Sequence, residues 1–286
     1  MSLKEIVVIG SLHYDIFLES PDLPRIGETI KGKDWHPKLG GKGGNQAIAA
    51  SLYPVPTKLI SAIGNDDFAN YILENLKKTQ INTAYIQRLQ NYNSGMSVAI
   101  SNAEGDYGAV IVSGANLHIN TEVFDDTSLW EKTGILMVQN EIDDKTNILA
   151  AKKAKEMDVR IFYNAAPAKK INPDFYGLVD MLLVNEIEAQ DITGIKITNL
   201  DDIKKTSNFL SKNFPVSIVS AGKKGVVYCE NQKEPIHLKG ANVKVKSTHG
   251  AGDTFAGTFC GALVSGKDLQ QSISIANQKA AEFISK

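Results

Sequence analysis

Cysteine is nearly absent. The 286 residues hold two, Cys229 and Cys260, too few for a disulfide framework and too far apart for a zinc knuckle. The fold must therefore be held by its core, and a reducing cytoplasm is the expected setting. An excess of positive charge is missing too. Lys+Arg total 31 against Asp+Glu 32, a net charge of -1, so there is no broad attraction to nucleic acid or to an acidic membrane surface. No run approaches the roughly 20 apolar residues that span a membrane. The start, MSLKEIVVIGS, returns to polar residues too soon to be a secretory signal. Internal repeats and low-complexity tracts are lacking as well. So are the two common nucleotide loops: no GxxxxGK[ST] occurs, and the GxGxxG spacing fails at Gln46. What is left is an expected soluble, cytoplasmic protein acting on small molecules.

An apolar content of 43% with 22% charged residues is ordinary for a globular chain and enough for one large or two small domains. Short β-branched runs alternate with helical patterns. EIVVIG (5–10), TKLISAIG (57–64), GILMVQN (134–140), VRIFYNA (159–165), DMLLVNE (180–186) and VSIVSAG (216–222) are near-continuous apolar strands of the kind buried on both faces. Residues 66–80, 144–158 and 199–214 carry helical spacing. Alternating strands and helices predict a mostly parallel sheet covered by helices on both faces. Residues 15–39 and 95–113 break the rhythm. They look like strand pairs, with turns at SPDLPRIG and NAEGD and no helix between them. Four such strands would make a small extra sheet, read as a flap on a single domain rather than a second folding unit.

Three segments carry chemistry. In HGAGDTFAG (249–257) Phe255, Phe259 and Leu263 recur every four residues, which puts Asp253 in the first turn of a helix. Converging amides and a helix N-terminus make an anion site there. A carboxylate in an anion site makes sense if Asp253 takes a proton from a hydroxyl while the amides stabilise a transferred phosphoryl group. The alternative is an Asp that caps the helix, with glycines that only make the turn. LGGKGGNQAIAAS (39–51) lets a ligand lie against bare backbone, with Lys42 and Asn45 able to bond hydroxyls, or else it is a flexible turn. NEIE (185–188) follows a strand at the sheet edge where ligands bind. Asn185 and Glu188, three apart, can hold water around Mg²⁺ on phosphates, or can simply be a solvated first turn.

Taken in order, GGKGGNQA, NEIE and HGAGDTF, together with GSLHYD, SGAN (113–116), YNAAPA (163–168) and SAGKKGV (220–226), resemble the ribokinase-like (PfkB) carbohydrate kinases over nearly the whole chain. The resemblance implies a three-layer α/β/α core with a mostly parallel sheet and a small β-sheet lid, 1–286 forming one domain. It implies ATP and Mg²⁺ as cofactors and phosphorylation of a sugar's primary hydroxyl, ribose first. Asp253 would be the base, with the amides of Gly250, Ala251 and Gly252 as the anion hole. His13, Asp15, Gly41, Lys42, Asn45 and Glu141 stand at sugar-binding positions. Asn185, Ser220, Gly222, Thr248 and Asn277 stand at nucleotide positions, and Glu188 at the Mg²⁺ position, through water. The lids of the family clasp each other, so a homodimer through the lid is expected.

The sequence departs from that pattern in three places. His13 replaces an Asn in the substrate loop and changes the donors and acceptors that face the sugar. Ser247 replaces an Asp associated with an activating monovalent cation, and the sequence ends at AAEFISK, before a tail that supplies more of that cation loop and further nucleotide contacts. Both argue against potassium activation. Three functions stay open: a pentose kinase, a kinase of nucleosides or other carbohydrates in which His13 meets the base, and a catalytically silent sugar-binding protein. Among the other histidines, His249 sits inside the anion loop, while His36, His118 and His237 have no ligand-like spacing.

Overall fold

Alternate residues of the first strand face opposite layers of the molecule. Ile6 and Val8 join one apolar cluster, Val7 and Ile9 another, and all four are fully buried. This two-sided burial is what a continuous apolar run demands of a parallel strand. The structure, a computed structural model, describes residues 4–102, 107–245 and 248–285. Residues 103–106 of the expected NAEGD turn, and Ser247, lie outside them.

In chain order the elements are β1 (Glu5–Ile9), β2 (His13–Glu19), β3 (Asp34–Gly40), α1 (Lys42–Ser51), β4 (Thr57–Ile63), α2 (Asp67–Leu76), β5 (Ile81–Asn82), β6 (Ile86–Arg88), β7 (Gly95–Ser101) and β8 (Tyr107–Val112). There follow β9 (Thr133–Gln139), α3 (Asp144–Glu156), β10 (Arg160–Asn164), β11 (Met181–Asn185), α4 (Glu186–Thr193), α5 (Leu200–Leu210), β12 (Val216–Ser220), β13 (Val226–Glu230), β14 (Ile236–Leu238), α6 (Ala251–Val264) and α7 (Leu269–Ile284).

The large sheet has the order β14-β13-β12-β11-β10-β9-β1-β4-β5, with β6 also on β4. Its strands are parallel except for the antiparallel edge β12-β13-β14. From β1 the chain moves to β4 on one side and later to β9 on the other, so β1 and β9 flank the point where the strand order reverses. Ligands of open α/β sheets bind outside the carboxyl ends of strands at such a point. Helices α1, α2, α6 and α7 bury their apolar faces with Ile6, Val8, Met137 and Phe162. The α3, α4 and α5 faces are buried on the opposite side with Val7, Leu136 and Val184.

One close crossing in this arrangement governs the site. An ideal Cβ at Gly257 of α6 would lie 2.4 Å from the Gln46 carbonyl oxygen and 2.5 Å from Ala49 Cβ of α1. Only the absence of a side chain lets the two helices come this near, and their N-termini are drawn together as a result.

The small sheet has the order β3-β2-β7-β8. β2 pairs antiparallel with β3 and parallel with β7, and β7 pairs antiparallel with β8. Its first strand pair is shorter than the 15–39 span suggests, because 20–33 is a loop. Pro21, Pro24, Gly27 and Gly32 occur along it, and proline removes the amide that a ladder needs.

Candidate active site

The glycine loop of 39–51 is a strand-to-helix junction. Gly41 caps α1 with φ 88, its backbone pressed against the Ser11 carbonyl. Lys42, Asn45 and Gln46 therefore stand in the first two turns of α1. The second glycine loop closes as a turn in which the Ala251 amide donates to the Thr248 carbonyl at 3.3 Å. Gly250 sits at the third position with φ 81, as a type II turn requires. Of the three amides expected in an anion hole, that of Ala251 is thus engaged locally. Those of Gly250 and Gly252 have no backbone acceptor among the described residues.

Asp253 is 6% exposed and does not cap α6, which excludes the capping alternative: the N-cap is Gly250, with no side-chain cap bond. Its carboxylate instead accepts hydrogen bonds from Gln46 Nε2 at 2.9 Å and Asn45 Nδ2 at 3.3 Å. The two glycine loops are joined through this one acid.

Glu141, just past β9, accepts from the Lys42 amide at 2.7 Å and from the Ser11 hydroxyl, and Lys42 Nζ lies 4.0 Å from its other oxygen. The pair spans the crevice between β1 and β9. Asp15, on β2, accepts from Ser97 Oγ of β7 and packs so closely on Gly40 that any Cβ there would overlap its carboxylate. His13, two residues back on the same face of the strand, is 3% exposed. Its Nδ1 is 3.9 Å from Asp15, and its Nε2 is buried with no hydrogen-bond partner.

The charges around Lys42 act on one another. Burial pulls the Lys42 ammonium down, but Asp253, Glu141, Glu188 and Asp15 together hold its pKa above the usual lysine value. Burial pushes the Asp253 carboxyl up, against the pull of Lys42 and of the Gln46 and Asn45 amides, and Glu141 adds to the push. Burial also raises Glu188, opposed by the Asn185 amide and Lys42. A carboxylate made more basic than usual can take a proton from a hydroxyl, and the cation and amides beside it can stabilise the negative charge that develops.

NEIE forms a capping box. Asn185 accepts from the Glu188 amide and Glu188 accepts from the Asn185 amide, both at 2.8 Å, and α4 ends at Gly194 in the left-handed region. Asn185 is exposed while Glu188 is buried. Ser220 is the register partner of Asn185 across β11 and β12, and Gly222, φ 50, opens the turn after it. Asn277 of α7 donates to the Lys239 carbonyl at 2.9 Å, and Lys239 and Gly240 pack against Gly225. Ser220, Gly222 and Asn277 therefore lie around adjoining loops at the Asn185 end of the sheet, and Thr248 is exposed beside the anion turn. Among the described residues no group of three His, Cys, Asp or Glu side chains could hold a metal by itself. One buried carboxylate fits a hard cation that brings phosphate ligands with it.

A cavity of about 430 Å³ opens beside Asn45, Gly250 and Thr254. A larger one, about 830 Å³, lies between β13, β14 and the start of α7 and includes none of the expected site residues; its size carries no argument against the chemistry at Asp253.

Motif reading did not single out Gln46, Ser11, Ser97 or Asn116. Gln46 orients Asp253, Ser11 holds Glu141, and Asn116 pins Leu12 through both its amide and its carbonyl. Three of these lie inside quoted motifs, GGNQA, GSLHYD and SGAN, and could have been found there. Ser97 lies in a plain alternating strand, and only the β2–β7 register brings it to Asp15.

A buried acid shared by two glycine loops at the reversal point of a doubly wound sheet, roofed by a small second sheet, defines an α/β enzyme that works on a hydroxylated small molecule. Residues 3–286 match the pfkB family of carbohydrate kinases, and the chain belongs to that family. It is 32% identical to a ribokinase of Staphylococcus aureus over 288 residues, covering 99% of this chain and 94% of that relative. It is 32% identical to the mouse ribokinase over 259 residues, 89% of this chain and 80% of the other. The fold superimposes on that of Arabidopsis thaliana ribokinase, solved with ribose and ATP, with a TM-score of 0.90 at 28% identity, covering 98% and 92% of the two chains.

Proposed function

We propose that this protein is an ATP-dependent kinase that phosphorylates the primary hydroxyl of a pentose, with ribose as the first candidate. The observation that carries the reading is the buried Asp253 carboxylate, held by Asn45 and Gln46 and set at the mouth of the anion turn. The likeness to ribokinases, one of them solved with ribose and ATP, supports sugar and nucleotide as the two ligands.

In the proposed mechanism Asp15, Gly41, Lys42, Asn45, Glu141 and His13 hold the sugar hydroxyls. Asp253 takes the proton of the primary alcohol as its oxygen forms a bond to the γ-phosphorus. The bond from that phosphorus to the β,γ-bridging oxygen breaks, and ADP leaves. The turn 250–252 stabilises the charge on the transferred group, and a base so placed contributes about 10²–10⁴ in rate. Asn185, Ser220, Gly222, Thr248 and Asn277 line the nucleotide side. Asn185 and Glu188 would hold Mg²⁺ through water, and the ion would supply neutralisation of the phosphate charge. The small sheet acts as the lid, keeping water from the γ-phosphate. Val110, Ile111 and Val112, exposed on its edge strand β8, support a homodimer formed lid to lid. Among the described residues no helix is long and apolar enough to cross a membrane, and a cytoplasmic setting belongs to the same reading.

A second reading, a nucleoside kinase with the same chemistry, is motivated by the unpaired Nε2 of His13, which can bond or stack on a base. ADP release measured with ribose, 2-deoxyribose, fructose, adenosine, cytidine and pseudouridine separates the two. Ribose as the best acceptor supports the first reading, a nucleoside the second, and no turnover with any hydroxylated acceptor overturns both.

A further inference from the structure

The face of β2 that carries His13 and Asp15 does not end with them. Side chains two apart share a face of a strand, so Phe17 is the next in line. Its register partner on β3 is His36, as Lys38 is that of Asp15. Phe17 stacks on His36 at 5.4 Å between ring centroids, and Lys38 Nζ stands 5.9 Å from its ring. The same ring makes an edge-to-face contact with His249, at 5.5 Å and 85°, within the geometry that aromatic pairs favour. His249 is the second residue of the turn closed by Ala251 and Thr248, directly before Gly250. At its base the small sheet is fixed elsewhere: Tyr14, on the opposite face of β2, stacks on Phe68 of α2 at 4.2 Å and meets Tyr71 edge-on.

We infer that the Phe17–His249 contact couples the two halves of the reaction, transmitting the seating of the small sheet over the sugar to the turn that presents amides to the phosphate. Among its contacts with the core, the sheet meets α2 at its root, through Tyr14 and through the Pro37 carbonyl that accepts from Tyr71, and meets the anion turn through Phe17 farther along β2. The root contacts meet α2, whereas Phe17 meets that turn directly. The turn is closed by the Ala251-to-Thr248 hydrogen bond, long at 3.3 Å, and its fourth residue begins α6, so a displaced His249 ring re-aims the Gly250 and Gly252 amides with it. Phe17 and His249 act as positioning residues, through each other and the turn, and determine whether the sugar side and the phosphate side are ready together. The inference rests on the kinase reading for its purpose, though not for its test.

The test is a double-mutant cycle of Phe17→Ala and His249→Ala, with His249→Phe as the conservative variant, read in two ways. The first is hydrogen exchange of the full chain without ligands. Phe17→Ala is expected to raise exchange in the peptide covering 248–254, and His249→Ala to raise it in β2 and β3, with His249→Phe restoring protection. Unchanged exchange in both segments overturns the inference, whatever the enzyme does. The second is turnover. With the best acceptor found, each Ala variant loses about 2- to 10-fold in kcat, the double variant loses no more than the worse single, and ATP hydrolysed per sugar phosphorylated rises. Additive losses with unchanged ATP-to-sugar stoichiometry also overturn it. Absence of kinase activity in the unmutated protein sinks the functional reading alone, because the exchange experiment still decides the contact.

Discussion

Gln46 donates to Asp253 across 207 residues of sequence, at 2.9 Å, and so binds the start of α1 to the start of α6. The glycine at 257 makes the bond geometrically possible, because a side chain there would separate the helices that carry the two groups. The acid is thereby oriented by the first glycine loop although it belongs to the second.

Replacement of that acid isolates its chemistry. Asp253→Asn keeps the size and one of the two acceptor oxygens that Gln46 and Asn45 use, and kcat is expected to fall by about 10³-fold or more while calorimetric affinities for sugar and ATP change little. Near-normal turnover would remove Asp253 from the mechanism.

The same variant has a stability signature of definite sign. The Asp253 pKa is raised in the folded state, so the native protein binds this proton more tightly than the unfolded chain does. The corresponding stability is present below the ordinary Asp value and is lost as pH rises through the raised one. At neutral pH the ionised acid is thus a burden, and Asp253→Asn should melt at a higher temperature than the unmutated protein at pH 7.5, with the gap narrowing at pH 4. Calorimetric melting at the two pH values measures it, and a variant less stable at pH 7.5 contradicts the electrostatic account.

Gln46→Leu removes one of the bonds that favour the ionised acid. The Asp253 carboxyl is then expected to titrate higher still, moving the acid limb of the kcat/KM profile to higher pH. A profile that loses amplitude with an unmoved limb would assign Gln46 a packing role only.

Glu188→Gln tests the metal assignment without dismantling α4, since a Gln at the same place can still complete a capping box. The Mg²⁺ concentration for half-maximal rate should rise by about tenfold or more, with sugar KM unaffected. An unchanged Mg²⁺ requirement would place the ion elsewhere.

Asp66 offers a structural control away from the chemistry. It caps α2 through Ala69 and accepts both the amide and the hydroxyl of Ser94. Although burial pushes its carboxyl up, these bonds hold it below the ordinary Asp value. Asp66→Ala should cost about 1–2 kcal/mol in urea unfolding at pH 7. The loss should shrink as pH falls through the lowered pKa, where the unmutated protein forfeits the same stabilisation. A cost that does not change with pH would mean the charge is irrelevant there.

Much of this was legible in the chain. The apolar runs at 5–10, 57–64 and 216–222 emerge as β1, β4 and β12 with ends displaced by only one or two residues, because a parallel strand buried on both faces reads as a near-continuous apolar run. Asp253 stands in the first helical turn as the Phe255 and Phe259 spacing requires. Less legible was the length of the loop after β2, where prolines and glycines mark irregularity without dating its end.

What the sequence determined by itself is local and periodic: which runs are strands, where helices begin, and that glycines bare the backbone beside one acid and one lysine. Those properties follow from side-chain alternation and backbone freedom within a few residues. What only the tertiary structure decided is which partner each group meets: Gln46 on Asp253, Ser97 on Asp15, Ser11 on Glu141, Phe17 on His249. Such pairings depend on strand order, register and the distance between packed helices, and these are settled only when the whole chain closes on its core.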